Sequence, residues 1–205
     1  MAALMKQELI IPMARHVKHV HFGQIRIDEG CMNLKKFKKY LEEKDDEFLR
    51  DEILTLYKTF DVVREYYDPR IEPESINEIA QKYKTILEEQ FYPSRGFPEL
   101  KYSVARKAIS DFKKICRDPT AIIDLQLTYV EYGVKCTLQY GDIDERFYSS
   151  MESMFRSCLE DMEEHGLLDM FEERCEEIQE KTADMGWGFG IAVTDLYEEY
   201  FTVVK

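Results

Sequence analysis

Few residues in this chain have the type and spacing that chemistry requires. His16, His19 and His21 crowd the N-terminal stretch, and residues 19 and 21 would share one face of a strand. A zinc site needs a third or fourth ligand in defined geometry, which this spacing does not supply. His165 has Met162 three residues before it, so the Glu-x-x-His pair of a di-iron bundle is missing. Cys31, Cys116, Cys136, Cys158 and Cys175 form no CxxC pair; an odd, widely spaced set reads as neither a disulfide framework nor a zinc site. The sequence holds no phosphate loop, no GxSxG elbow, no HExxH and no EF-hand spacing. No metal and no cofactor is expected.

Two stretches remain as candidate sites. "GWGFG", 186–190, gathers three of the nine glycines and the single tryptophan. Free amides ahead of a helix can hold an anion; the alternative is a tight turn in which Trp187 and Phe189 plug the core. Trp187, Asp195 and Tyr197 outline an inter-helix pocket, the basis of an enzyme reading.

The second stretch is "SVARKAISDFKKICRDP", 103–119, in which five bases face two acids, Asp111 and Asp118, although the chain carries a net charge of -13. At 100° per residue Val104, Ala105, Ala108, Ile109, Phe112, Ile115 and Cys116 share one arc, and Arg106, Lys107, Lys113, Lys114 and Arg117 share the other. A later helix, 167–181, reverses the sign. Leu168, Phe171, Cys175 and Ile178 face inward, while Asp169, Glu172, Glu173, Glu176, Glu177 and Glu180 face out. Between 160 and 184 eleven acids meet two bases. Such ridges serve as solvated faces, as protein-recognition surfaces, or, for the basic one, as a phosphate contact. The acidic remainder would repel a nucleic acid backbone, so a protein partner or a homodimer is expected ahead of a weak nucleic-acid-associated regulator, with plain solvated faces as the other alternative.

The elements that must position these residues are helical. Of 205 residues 44% are hydrophobic and 34% charged, with only six prolines, a composition suited to a packed helical core. Apolar residues recur at helical spacing over 34–41, 49–63, 76–91, 104–116, 122–136, 147–162 and 168–178, with a last helix in "IAVTDLYEEYF". Leu49, Ile53, Leu56, Phe60 and Val63 predict one unbroken stripe, ended by "YDPRIEP". Asp45 and Asp46 suit a helix start, Ser103 is a plausible N-cap, and Gly166 ends the helix before it. Seven or eight mostly antiparallel helices are expected in one all-α domain over 32–205, as a bundle or a stack of helical hairpins.

Residues 1–31 read as an irregular extension, with a strand-like alternation over 17–27. The purine-rich codons implied by Asp28, Glu29 and Gly30 resemble a ribosome-binding site, so the functional chain is expected to begin at Met32. No apolar run approaches the roughly 20 residues of a membrane span, and a cytoplasmic location is expected from the unpaired cysteines.

"VARKAISDFKKICRDPTAIIDL", 104–125, resembles a HEAT-type helical hairpin, which implies an interaction scaffold. Over Asn33–Tyr200 the chain is similar to a family of small bacterial helical proteins of unknown function. "FKKYLEEKDDEFLRDEILTLY", "SVARKAISDFKK", "GWGFG" and "DLYEEYF" carry that likeness, and it implies a compact helical domain. The expected function is a non-catalytic protein-interaction or adaptor module built on opposed basic and acidic helix faces. For the partner-binding set, loop residues Tyr92, Phe97 and Tyr102 are expected to supply an apolar hot spot.

Overall fold

A computed structural model describes residues 32–202 and contains nine α-helices among them: α1 (Met32–Glu42), α2 (Asp46–Thr59), α3 (Asp61–Ile71), α4 (Ile76–Phe91), α5 (Tyr102–Ile115), α6 (Pro119–Tyr140), α7 (Glu145–His165), α8 (Leu168–Thr182) and α9 (Phe189–Phe201). No strand occurs among the described residues. The histidine cluster, the strand-like alternation over 17–27 and the boundary at residue 31 lie outside them. The chain divides into two compact units, Met1–Glu52 and Ile53–Lys205.

The count exceeds the seven or eight expected because the stripe from Leu49 to Val63 is not one helix. Phe60 adopts an extended conformation (φ -119°, ψ 120°) and α3 begins at Asp61. The end of α2 leaves carbonyls without helical donors; the Arg64 guanidinium donates to those of Tyr57 and Lys58, each at 3.1 Å, and also pairs with Asp61. Apolar spacing is blind to such a break because the period of the sequence runs on through Phe60, while Ile53, Leu56 and Phe60 stay exposed in the fold. Nor does "YDPRIEP" stop the helix at its first proline: Pro69 lies inside α3, which ends at Ile71, and Pro73 opens a short 3-10 turn.

α6 organises the second unit. Over residues 125–130 it is buried on every side, and Ile123, Leu125, Leu127, Tyr129, Val130, Val134 and Cys136 are buried together with Gln126, Thr128 and Thr137. A helix buried all round must be covered by others, and α4, α5, α7 and α8 pack on it. Its start follows from local chemistry: the Asp118 carboxylate accepts from Thr120 N–H at 3.0 Å, with Pro119 in the first turn. Asp144 caps α7 likewise through Phe147 N–H at 2.8 Å. α7 stops at Gly166, whose left-handed φ of 66° suits glycine.

The core faces read from the sequence hold for α7, where Phe147, Met151, Met154, Cys158 and Met162 are buried, and for α8, where Phe171, Cys175 and Ile178 are. On α5 the exception is Val104, which is 41% exposed at the rim of the core arc. That helix begins at Tyr102, with Lys101 at the cap position and no side-chain cap, so Ser103 falls inside the first turn and caps nothing. The Tyr102 ring sits edge-on against Phe147 and packs on the core instead of Val104.

Two glycines set how closely helices approach. A Cβ on Gly190 would meet the backbone carbonyls of Thr182 and Ala183, the latter at 2.9 Å, whereas a Cβ on Gly133 would meet only the Met151 thioether. Backbone cannot yield as a methionine side chain can. Gly190→Ala is therefore expected to destabilise by about 1–3 kcal/mol, the range for overpacking, and Gly133→Ala by less. Urea denaturation of the two variants checks the order.

Candidate functional site

The five bases expected on one ridge separate in the folded chain. Arg117 is not on the helix at all, because α5 ends at Ile115 and Cys116 is extended (φ -82°, ψ 136°); Arg106 and Lys113, seven residues apart, keep one flank of α5 and meet α7. Arg106 donates to the Ser150 carbonyl and hydroxyl, each at 3.1 Å, and to the Ser153 hydroxyl at 3.3 Å. Lys113 pairs with Asp161 at 2.8 Å. On the outer side Lys107 and Lys114 both bind Asp111. Burial pushes the Asp111 carboxyl up, but the two ammonium groups outweigh it and hold the group below the ordinary carboxylate range. Four of the five bases thus have partners within the chain. Arg117 lines a cleft of about 280 Å³ with Lys113, Asp161, Ile122 and His165.

The acidic face of α8 is arranged differently. Asp169, Glu172, Glu173, Glu176, Glu177 and Glu180 are all exposed. Among the described residues only Glu177 has an ion-pair partner, Lys181 one turn on. The other base of this helix, Arg174, turns toward α6, donating to both Glu131 oxygens at 2.7 and 2.9 Å and to Asp124 at 2.7 Å. Lys84 of α4 takes the other Asp124 oxygen at 2.6 Å. Burial works against the Arg174 charge, but Glu131 and Asp124 outweigh it and raise its pKa. α4, α6 and α8 are thereby joined by one alternating chain of charges. Beside it runs a cleft of about 440 Å³ lined by Glu131, Lys135, Leu138, Arg174, Glu177 and Lys181.

Trp187 does not plug the core. It is 58% exposed and sits at φ 57°, a left-handed conformation unusual for a bulky residue. Its indole N–H donates to Asp142 at 2.8 Å, and the other Asp142 oxygen accepts from the Tyr148 hydroxyl at 2.7 Å. Only Phe189 of this motif fills the core, against Tyr148. Asp195 and Tyr197 lie two residues apart on α9, about 200° around the helix, so they do not converge on one point. Asp195 is exposed, and Tyr197 is half-buried and stacks on Phe201. The two clefts described above are lined by other residues.

The expected hot-spot residues also part company. Tyr92 packs between Tyr132 and Tyr140 and Tyr102 against Phe147, whereas Phe97 is 84% exposed. Sequence reasoning missed the hub role of Asp142, an acid in a loop with no motif around it. The Arg174 network was missed for a similar reason: its members lie 43 and 50 residues apart.

The sequence profile of DUF6155, a family of unknown function, matches residues 32–200. The chain belongs to this family. No curated protein and no solved structure matches it. In this DUF6155 chain none of the described helices is long and apolar enough to cross a membrane. Among the described residues no group of three or more His, Cys, Asp or Glu side chains is gathered as a metal site would require. The thiols of Cys116, Cys136, Cys158 and Cys175 are buried and free, and burial pushes Cys136 up to about 11 and Cys175 up to about 12, where little reactive thiolate forms.

Two measurements follow from this geometry. Trp187 is the only tryptophan, so native fluorescence should peak near that of solvent-exposed indole and move little on unfolding. A core tryptophan would instead give a blue-shifted native peak. Arg174→Met should destabilise by about 2 kcal/mol, because it strands Glu131 without a charged donor and leaves Asp124 only Lys84; thermal denaturation beside Lys181→Met, an exposed pair expected to change stability by less than about 1 kcal/mol, checks it.

Proposed function

We propose that this protein is a non-catalytic helical interaction module that receives a basic protein partner on the acidic face of α8. The observation that carries the reading is the asymmetry in charge pairing. The four bases on α5 are all engaged within the chain, while Glu172, Glu173 and Glu176 have no ion-pair partner among the described residues. A row of solvated carboxylates on a rigid helix attracts cations at long range and fixes their register.

The face does not end at α8. Tyr197 of α9 lies in the field of its acids: burial first, then Glu176 and Glu172, raise the phenol above its ordinary pKa. An aromatic ring beside carboxylates offers an arginine-bearing segment both stacking and charge. On this reading Arg106, Lys107, Lys113 and Lys114 orient α5 against its neighbours, and Arg117 is the residue of that ridge left for a partner. A scaffold role of this kind is also what the HEAT-like likeness of 104–125 implies.

Affinity capture from native lysate with nuclease present tests the reading, comparing wild type with Glu172→Lys/Glu173→Lys/Glu176→Lys. A protein retained by wild type at low salt should be lost from the variant and from wild type at high salt, since exposed charges are screened within about 10 Å at 0.1 M. Capture that ignores both changes overturns the proposal.

A further inference from the structure

The first unit has a charge pattern unlike the rest of the chain. Residues 34–52 hold six bases and seven acids and are nearly neutral, whereas residues 53–205 carry a net charge of -13. The signs are also separated. Lys35, Lys36, Lys38 and Lys39 give α1 only positive charge up to Tyr40, and from Glu42 to Glu52 seven acids stand against Lys44 and Arg50. Among the described residues no ion pair joins these groups.

Apolar side chains accompany this pattern without being covered. Leu34, Phe37, Tyr40 and Phe48 are exposed, Phe37 by 54%. The elbow between the helices is ordered: Asp45 accepts from Phe48 N–H at 2.8 Å, Tyr40 meets Phe37 and Phe48, and the Lys44 ammonium lies 4.7 and 5.1 Å from the two ring centres of Tyr40 and Phe48. An ordered elbow presenting aromatics and separated charge of both signs is a docking surface whose partner must carry the same features in the opposite order.

A second copy of this chain carries that order by symmetry. In a two-fold pairing each surface meets itself reversed, so the lysines of one α1 face the partner's 42–52 acids, and the reverse contact forms at the other end. Elsewhere two copies repel, because both present the -13 body. The near-neutral unit is where they can approach without that cost. A cationic foreign partner would instead be drawn to the acidic body. We propose that residues 34–52 form a self-association surface that docks a second copy of the chain, α1 against the partner's α2 segment, with Leu34, Phe37, Tyr40 and Phe48 between them. This proposal does not depend on the α8 reading.

Light scattering after size exclusion, on the full chain, tests it with two charge variants: Lys35→Glu/Lys36→Glu/Lys38→Glu/Lys39→Glu and Asp46→Lys/Glu47→Lys/Asp51→Lys/Glu52→Lys. The expected result is a dimeric wild type, each variant monomeric alone with its helical circular dichroism intact, and dimer mass restored on mixing the two. Phe37→Ala, a milder change, is expected to weaken the dimer at least tenfold. A wild type that stays monomeric at high micromolar concentration, charge variants that still dimerise alone, or folded variants whose mixture stays monomeric, overturns the proposal. The α8 triple variant is expected to dimerise as wild type does, which separates this surface from that one.

Discussion

The all-round burial of α6 is the constraint on which the second unit depends. Over residues 125–130 the helix has no face for water, and each large apolar side chain it buries stabilises the fold by about 1.5–3 kcal/mol. Four helices pack on it, and their own amphipathic patterns follow from that duty. α5, α7 and α8 each give one apolar stripe to the centre and turn charge outward. The position of every charged ridge is therefore set by which stripe faces α6.

Charge inside this arrangement is used in two ways. Where α6 carries polar residues at the margin of its buried surface, neighbours complete them: Asp124 and Glu131 receive Lys84 and Arg174, and the Tyr129 hydroxyl meets Ser150, which also receives Arg106. These contacts fix the rotation of helices whose apolar packing alone is non-directional. Where a helix faces outward, as on α8, the acids stay solvated and available. Opposite functions thus fall to residues that look alike in the sequence, and geometry assigns them.

The Trp187 turn shows how a local conformation can move a large side chain out of the core. Gly188 at φ 73° and Trp187 at φ 57° reverse the chain just before α9, and Gly190 then lets α9 lie close against the end of α8. The reversal sends Phe189 inward and leaves the indole outside, tied to Asp142. Non-glycine residues in this region are strained, and here the flanking helices and the Asp142 bond hold the conformation.

The sequence by itself determined the helical class, the stripes of α7 and α8, the Asp118–Pro119 start and the Gly166 stop, because spacing, caps and turns are local properties of neighbouring residues. It also determined that 106–117 and 169–180 carry opposite charge. It did not reveal the break at Phe60, since the apolar spacing runs on through it and the bonds that close the break come from the Arg64 side chain. It did not show that Lys113 reaches Asp161, that Arg106 reaches Ser150, or that Trp187 reaches Asp142. Those partners lie more than forty residues away, and only the packing of helices around α6 brings them within hydrogen-bond distance.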